Sequence, residues 1–150
     1  MEAKLKKMLR KSGTIGVLVF AGLLASCSTM SNLMGGGGQV SLSGSNEVPP
    51  TTTGASGTGS VSVNSDCNVT AKVTVTGMTA TAAHIHEGAA GANGPVIVPF
   101  TKTGDNQFEA PAGAKMTPAQ CASYKAGKTY VNVHSAKNPG GEVRAQLKGE

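Results

Sequence analysis

Strict period-two alternation constrains this chain more than any other feature. Val69-Thr70-Ala71-Lys72-Val73-Thr74-Val75-Thr76 places apolar side chains on odd positions and polar ones on even positions. Successive side chains of a strand point to opposite faces, so the pattern describes a strand with one face in a core and the other in solvent. Shorter pieces follow the same logic. Residues 40–44, 58–64, 82–87, 96–100, 107–109, 129–134 and 142–147 each read as a strand, bounded by turns rich in Gly, Pro, Asn and Ser. Thr117-Pro118-Ala119-Gln120 is a capping box with Pro at the first helical position, and Gly127 is a C-terminal stop, which predicts one short helix. Short strands at this spacing predict an all-β, antiparallel sandwich or barrel. With no Trp and only 3% aromatic residues, its core must be built from Val, Ile, Ala, Leu and Met.

The three histidines fall on two of these strands. Ala83-His84-Ile85-His86-Glu87 carries two, and Tyr130-Val131-Asn132-Val133-His134 carries the third. Residues i and i+2 of a strand share a face, so His84 and His86 stand roughly 7 Å apart at Cα, with Ile85 turned the other way. A third imidazole from His134 completes a donor set suited to copper, zinc or nickel. Glu87 faces away from the pair in a regular strand. Met116 is a candidate soft ligand or a core side chain. Glu142 and Arg144 share one face of the last strand; they either orient the ligands from behind or form a surface ion pair. Glu47, before Pro49-Pro50, reads as shaping a strand edge.

The N-terminal segment is a targeting signal. Lys4, Lys6, Lys7, Arg10 and Lys11 precede the apolar run 14–24, which is too short to span a bilayer and suits a signal-peptide core. The run ends in Leu24-Ala25-Ser26-Cys27, which resembles the lipobox of bacterial lipoproteins. That resemblance implies a signal peptide over residues 1–26, export, and acylation of Cys27 as a lipid anchor. Ser28, rather than Asp, after the cysteine implies the outer membrane, with the domain facing the periplasm or the cell surface. Residues 27–39, with Gly35-Gly36-Gly37-Gly38, read as a flexible tether reaching roughly 20 Å, and residues 40–150 as the folded domain. The formal charge of +5 resides mostly in the signal, since five of the 13 Lys+Arg but one of the eight Asp+Glu lie in residues 1–26. The near-neutral remainder has no basic stripe and offers nothing to nucleic acid. Removing Cys27 from the count leaves Cys67 and Cys121, an exported pair that reads as a disulfide. Two free thiols, or a thiolate metal ligand, are the alternatives, and neither cysteine lies near a histidine in sequence.

Two motifs mislead. Gly127-Lys128-Thr129 looks like the end of a P-loop, but Ala122 stands where Gly is required and a strand follows instead of a helix. Residues 88–95 are too brief for collagen and open no helix, so they connect two strands.

Four segments together resemble the CHRD domain, named after chordin. They are Leu42-Ser43-Gly44-Ser45-Asn46-Glu47-Val48-Pro49-Pro50; Ala83-His84-Ile85-His86-Glu87-Gly88 with Gly94-Pro95-Val96; Tyr130-Val131-Asn132-Val133-His134-Ser135; and Asn138-Pro139-Gly140-Gly141-Glu142-Val143-Arg144-Ala145-Gln146-Leu147. The resemblance implies a Greek-key β-barrel, immunoglobulin-like or similar to Cu/Zn superoxide dismutase. The His-x-His strand also resembles the copper strand of that dismutase. Three histidines are too few for its copper–zinc pair.

The leading functional expectation is an envelope lipoprotein binding one metal ion through His84, His86 and His134, copper ahead of zinc by the Irving–Williams order, for sequestration or delivery. An envelope protein partner is unidentified. The alternatives are a metal-free interaction or structural domain, a dismutase-like redox enzyme guided by the positive charge of Arg144, and hydrolysis at zinc. Hydrolysis lacks a visible general base. Binding is favoured over catalysis, and no residue is assigned a catalytic role.

Overall fold

The computed structural model of the chain describes residues 38–149. The signal segment, Cys27 and the tether up to residue 37 lie outside the described residues. Nine antiparallel strands follow in chain order. They are β1 (Gly38–Ser43), β2 (Ser56–Val63), β3 (Val69–Thr76), β4 (Ala80–Glu87), β5 (Val96–Pro99), β6 (Thr101–Gly104), β7 (Gln107–Glu109), β8 (Thr129–Ser135) and β9 (Val143–Gln146), with helix α1 (Pro118–Lys125) between β7 and β8. β1 begins two residues before the expected domain start at Val40.

The strands form one sheet in the order β5-β4-β8-β9-β1-β2-β3-β7-β6. Its two outermost strands, β5 and β6, are consecutive in the chain with only Phe100 between them. The sheet must therefore roll until its edges meet. Phe100 N–H donates to Ala83 O of β4 at 3.0 Å, and Lys102 Nζ of β6 donates to Ala80 O at 3.1 Å. The result is a nearly closed barrel. β8 lies beside β4 rather than β7, which makes β4 through β8 a Greek key. β6 was not apparent in the sequence because its residues are mostly exposed and carry no apolar period.

The alternation of β3 has the expected cause. Val69, Ala71, Val73 and Val75 are buried, and they pack with Val61, Leu42, Phe108 and Met116 in the central core. β2 pairs β3 residue for residue from Ser56↔Thr76 to Val63↔Val69. Asn64 Oδ1 closes their turn by accepting from Asp66 N–H and Asn68 N–H. In α1 the capping box is complete: Thr117 Oγ1 accepts from Gln120 N–H at 3.2 Å, and Gln120 Oε1 accepts from Thr117 N–H at 2.9 Å. Gly127, at φ +69°, ends the helix in the left-handed conformation glycine tolerates. Cys67 and Cys121 are joined as a disulfide that ties the β2–β3 turn to α1. Cross-linking across 54 residues stabilises by about 4 kcal/mol in the chain-entropy model.

Candidate metal centre

The barrel carries a second buried layer on the outside of β4, β8 and β9. Ile85, Val131, Val133, Val143 and Ala145 point into the central core. Their neighbours point outward: His84 and His86 from β4, Tyr130, Asn132 and His134 from β8, Arg144 and Gln146 from β9. Cross-strand register aligns them in rows, His84↔Asn132↔Arg144 and His86↔Tyr130↔Gln146. An outward face is normally wet, yet His86, Tyr130, Asn132, His134 and Arg144 are buried. Three connections cover them. Asn93 Nδ2 of the 88–95 connection donates to Val48 O at 2.7 Å, and Thr51 Oγ1 donates to Glu142 O at 2.7 Å, so the 44–54, 88–95 and 136–142 segments brace one another.

The three histidines meet there. One ring nitrogen from each of His84, His86 and His134 lies within 4.8 Å of the others. His84 Nδ1 and His134 Nε2 are 2.9 Å apart. Backbone carbonyls set the tautomers. His134 Nδ1 lies 2.9 Å from Pro139 O, and His86 Nδ1 lies 2.9 Å from Gly94 O. A carbonyl only accepts, so both Nδ1 atoms carry the proton and both Nε2 atoms keep lone pairs. His134 Nε2 takes its hydrogen bond from His84, while His86 Nε2 is buried with no partner. A buried lone pair without a donor is costly, and a metal ion satisfies it. Bonds of about 2.0–2.1 Å to tetrahedral imidazole ligands separate the nitrogens by roughly 3.3 Å. The observed spacings bracket that value, so this donor set can hold a metal ion with small ring movements. Carbonyl-oriented imidazoles are the usual support of such a ligand set.

The CHRD domain family model matches residues 38–147. This chain belongs to the CHRD-domain family. No curated protein and no solved structure matches it.

The CHRD domain surrounds its histidines with residues of two kinds. Arg144 is not part of a surface ion pair. It is 1% exposed, and among the described residues no carboxylate makes an ion pair with it. Its guanidinium carbon lies 3.4 Å from the Tyr130 ring centroid, and Tyr130 stacks on His86 at 4.8 Å with the planes 5° apart. Its Nη atoms donate to Ala89 O, Ala92 O, Asn93 Oδ1 and Gln146 Oε1. Arg144 thereby holds the connection that presents Gly94 O to His86. Glu142 is also buried and serves the other side. Its carboxylate accepts from Thr53 Oγ1 at 2.7 Å and from Ser135 Oγ, and these bonds hold it below the usual carboxylate range against the opposing effect of burial. Ser135 Oγ in turn accepts from Asn138 N–H, which fixes the turn that presents Pro139 O to His134. Met116 sits in the central core. Glu87 Oε1 accepts from Ser123 Oγ at 2.5 Å, tying β4 to α1.

Four participants were missed from the sequence. Tyr130 and Asn132 lie four and two residues before His134 on the same strand, so the period-two rule that paired His84 with His86 also reaches them. Gly94 and Pro139 act only through their carbonyls, which leave no side-chain signal. Glu47 differs from its expected role as an edge-shaping residue. It is 4% exposed, and burial pushes its carboxyl up to about 7 despite nearby Arg144 and Asn132.

Burial lowers the pKa of His84 to about 4, helped by repulsion from His134 and His86, and burial lowers that of His86 as well. An unfolded histidine titrates near about 6.5. Between these values the unfolded chain takes up a proton that folded His84 refuses, so the His84 contribution to stability is present above pH 6.5 and is lost as pH falls toward 4. The ring C–H resonances of His84 in the metal-free domain are expected to titrate near pH 4. A midpoint near the ordinary histidine value contradicts this.

Proposed function

We propose that this chain is a cell-envelope lipoprotein whose CHRD domain binds a single copper ion through His84, His86 and His134, and that it sequesters or delivers copper. The convergence of the three ring nitrogens within 4.8 Å carries the reading, with the His86 and His134 tautomers fixed so that both Nε2 atoms keep lone pairs. Copper ranks above zinc for imidazole donors when both are available. The Leu24-Ala25-Ser26-Cys27 lipobox supports a lipid anchor on Cys27, and Ser28 favours the outer membrane. The Cys67–Cys121 disulfide is the chemistry of an oxidising compartment. The membrane, through the acyl chains, is the proposed partner.

In the metal complex the chain's residues would act as binding groups. His86 and His134 offer Nε2 while their Nδ1–H groups stay on Gly94 O and Pro139 O. His84 would give up its hydrogen bond to His134, carry its ring proton on Nε2 instead of Nδ1, and offer Nδ1. Copper bound there supplies a redox-capable centre.

Titration of the purified protein with Cu(II) tests the binding. One equivalent is expected to bind with an electron paramagnetic resonance spectrum showing three nitrogen couplings. Free metal at about 100 times Kd should stabilise the fold by about 2.7 kcal/mol. Protein that binds no copper, or binds it without nitrogen coupling, sinks the reading. The anchor is tested separately. Cys27→Ser is expected to abolish acyl labelling and leave the protein unprocessed or soluble; unchanged labelling rules the anchor out.

A further inference from the structure

Beside the three ligands runs a line of buried groups with unmet hydrogen-bonding capacity. Glu47 Oε1, Asn132 Oδ1 and His86 Nε2 are all buried without a partner, and the last two can only accept. Glu47 is 4% exposed and Asn132 1%. Gly141 shows how closely they gather. A Cβ there would stand 2.5 Å from Glu47 Oε1 and 2.6 Å from Asn132 Nδ2, and the residue has φ +131°, so only glycine fits between the two side chains.

The surroundings of Asn132 decide which way its amide faces. Asn132 Nδ2 points toward Gly140 O at 3.5 Å and toward the Glu47 carboxyl, and both offer lone pairs. The nitrogen end is thereby committed to that side. Asn132 Oδ1 is left for the other side, where the Asn132 side chain acts on His86. Two neighbouring buried acceptors, Asn132 Oδ1 and His86 Nε2, are thus left without a donor. A metal on His86 Nε2 answers one of them and leaves Asn132 Oδ1 unanswered. A hydroxylic ligand on that metal answers the other.

We infer that Asn132 is a positioning residue for an exchangeable fourth ligand of the metal, a water molecule or another small hydroxylic species whose O–H donates to Asn132 Oδ1, with Glu47 and Gly140 O holding the amide in that orientation. The inference rests on the three-histidine metal reading and extends it. The site is then open to exchange rather than closed by a fourth protein side chain, as copper delivery by ligand exchange requires.

The test uses the full chain loaded with one equivalent of Cu(II), with electron–nuclear double resonance recorded in H₂O and D₂O. The parent is expected to show three nitrogen couplings plus strongly coupled protons, distinct from the weakly coupled imidazole N–H protons, that vanish in D₂O. Asn132→Leu, of similar size but without an acceptor, is expected to keep the three nitrogens and lose at least half of the exchangeable proton signal. Asn132→Asp, which keeps an oxygen at the same atom, is expected to restore it. If Asn132→Leu fails to fold, Asn132→Val, which also lacks the acceptor, is read in its place against the same outcomes. Three nitrogens with no strongly coupled exchangeable protons in the parent overturns the fourth-ligand inference alone. An exchangeable signal unchanged in Asn132→Leu overturns the role of Asn132. Absence of nitrogen coupling in the parent overturns the metal reading and this inference together.

Discussion

His134→Ala is expected to lower Cu(II) affinity by more than 100-fold. Losing a residue that merely orients a ligand typically costs about 10–100-fold, and a lost ligand costs more. His134 supplies Nε2 to the site, and its Nδ1–H is committed to Pro139 O, so no second nitrogen can take over. The loss also releases His84 Nδ1 from its 2.9 Å partner, leaving that ring free to turn away. His86→Ala is expected to match it, because His86 Nε2 is the buried lone pair with no other partner. Ile85→Val is the control. Its side chain is fully buried in the central core on the opposite face of β4, so it should cost about 0.5–1.5 kcal/mol of stability and leave copper affinity nearly intact. Competition titration against a chelator of known affinity checks all three, with circular dichroism confirming that each variant folds. Copper binding by His134→Ala as tight as the parent's removes the three-histidine site and reduces the His-x-His pair to a surface chelate.

What the sequence made legible followed from two local rules. Period-two alternation located β3 residue for residue and put His84 and His86 on one face. The capping box located α1 because its donors and acceptors are local. Long-range consequences were less visible. That the outer face of β4, β8 and β9 is itself buried depends on three connections folding over it, and no periodicity encodes a connection's path. Arg144 shows the cost of that blindness. Beside Glu142 in an alternating strand it looks like half of a surface ion pair, and only the covering 88–95 segment turns it into a buried clamp. Glu47 is similar. It sits in a turn with no period, and its burial becomes apparent only once Gly141 and Asn132 are packed against it.

Arg144→Met is expected to destabilise the domain by about 3 kcal/mol and to weaken copper binding at least about tenfold. The side chain makes four hydrogen bonds and a cation–π contact in a fully buried position. Each buried acceptor left unpaired costs about 1–3 kcal/mol. Ala89, Ala92 and Asn93 are exposed residues that recover water, which keeps the total near the lower end. Lost stacking on Tyr130 adds about 1 kcal/mol. For a domain of this size the change lowers the melting temperature by roughly 10–20 °C. The affinity loss follows from the same contacts, because the freed 88–95 connection carries the Gly94 carbonyl that fixes His86. Arg144→Lys is expected to rescue little, since an ammonium cannot reproduce the planar fork that serves Ala89, Ala92, Asn93 and Gln146 together. Lys72→Met supplies the contrast. Its 2.9 Å pair with Glu109 is exposed at 59% and 40%, and such pairs contribute about 0–1 kcal/mol. Thermal melts of the three variants, with and without copper, therefore separate a surface ion pair from a buried clamp. An Arg144→Met protein that melts and binds copper like the parent shows that the stack from Arg144 through Tyr130 to His86 supports neither the fold nor the site.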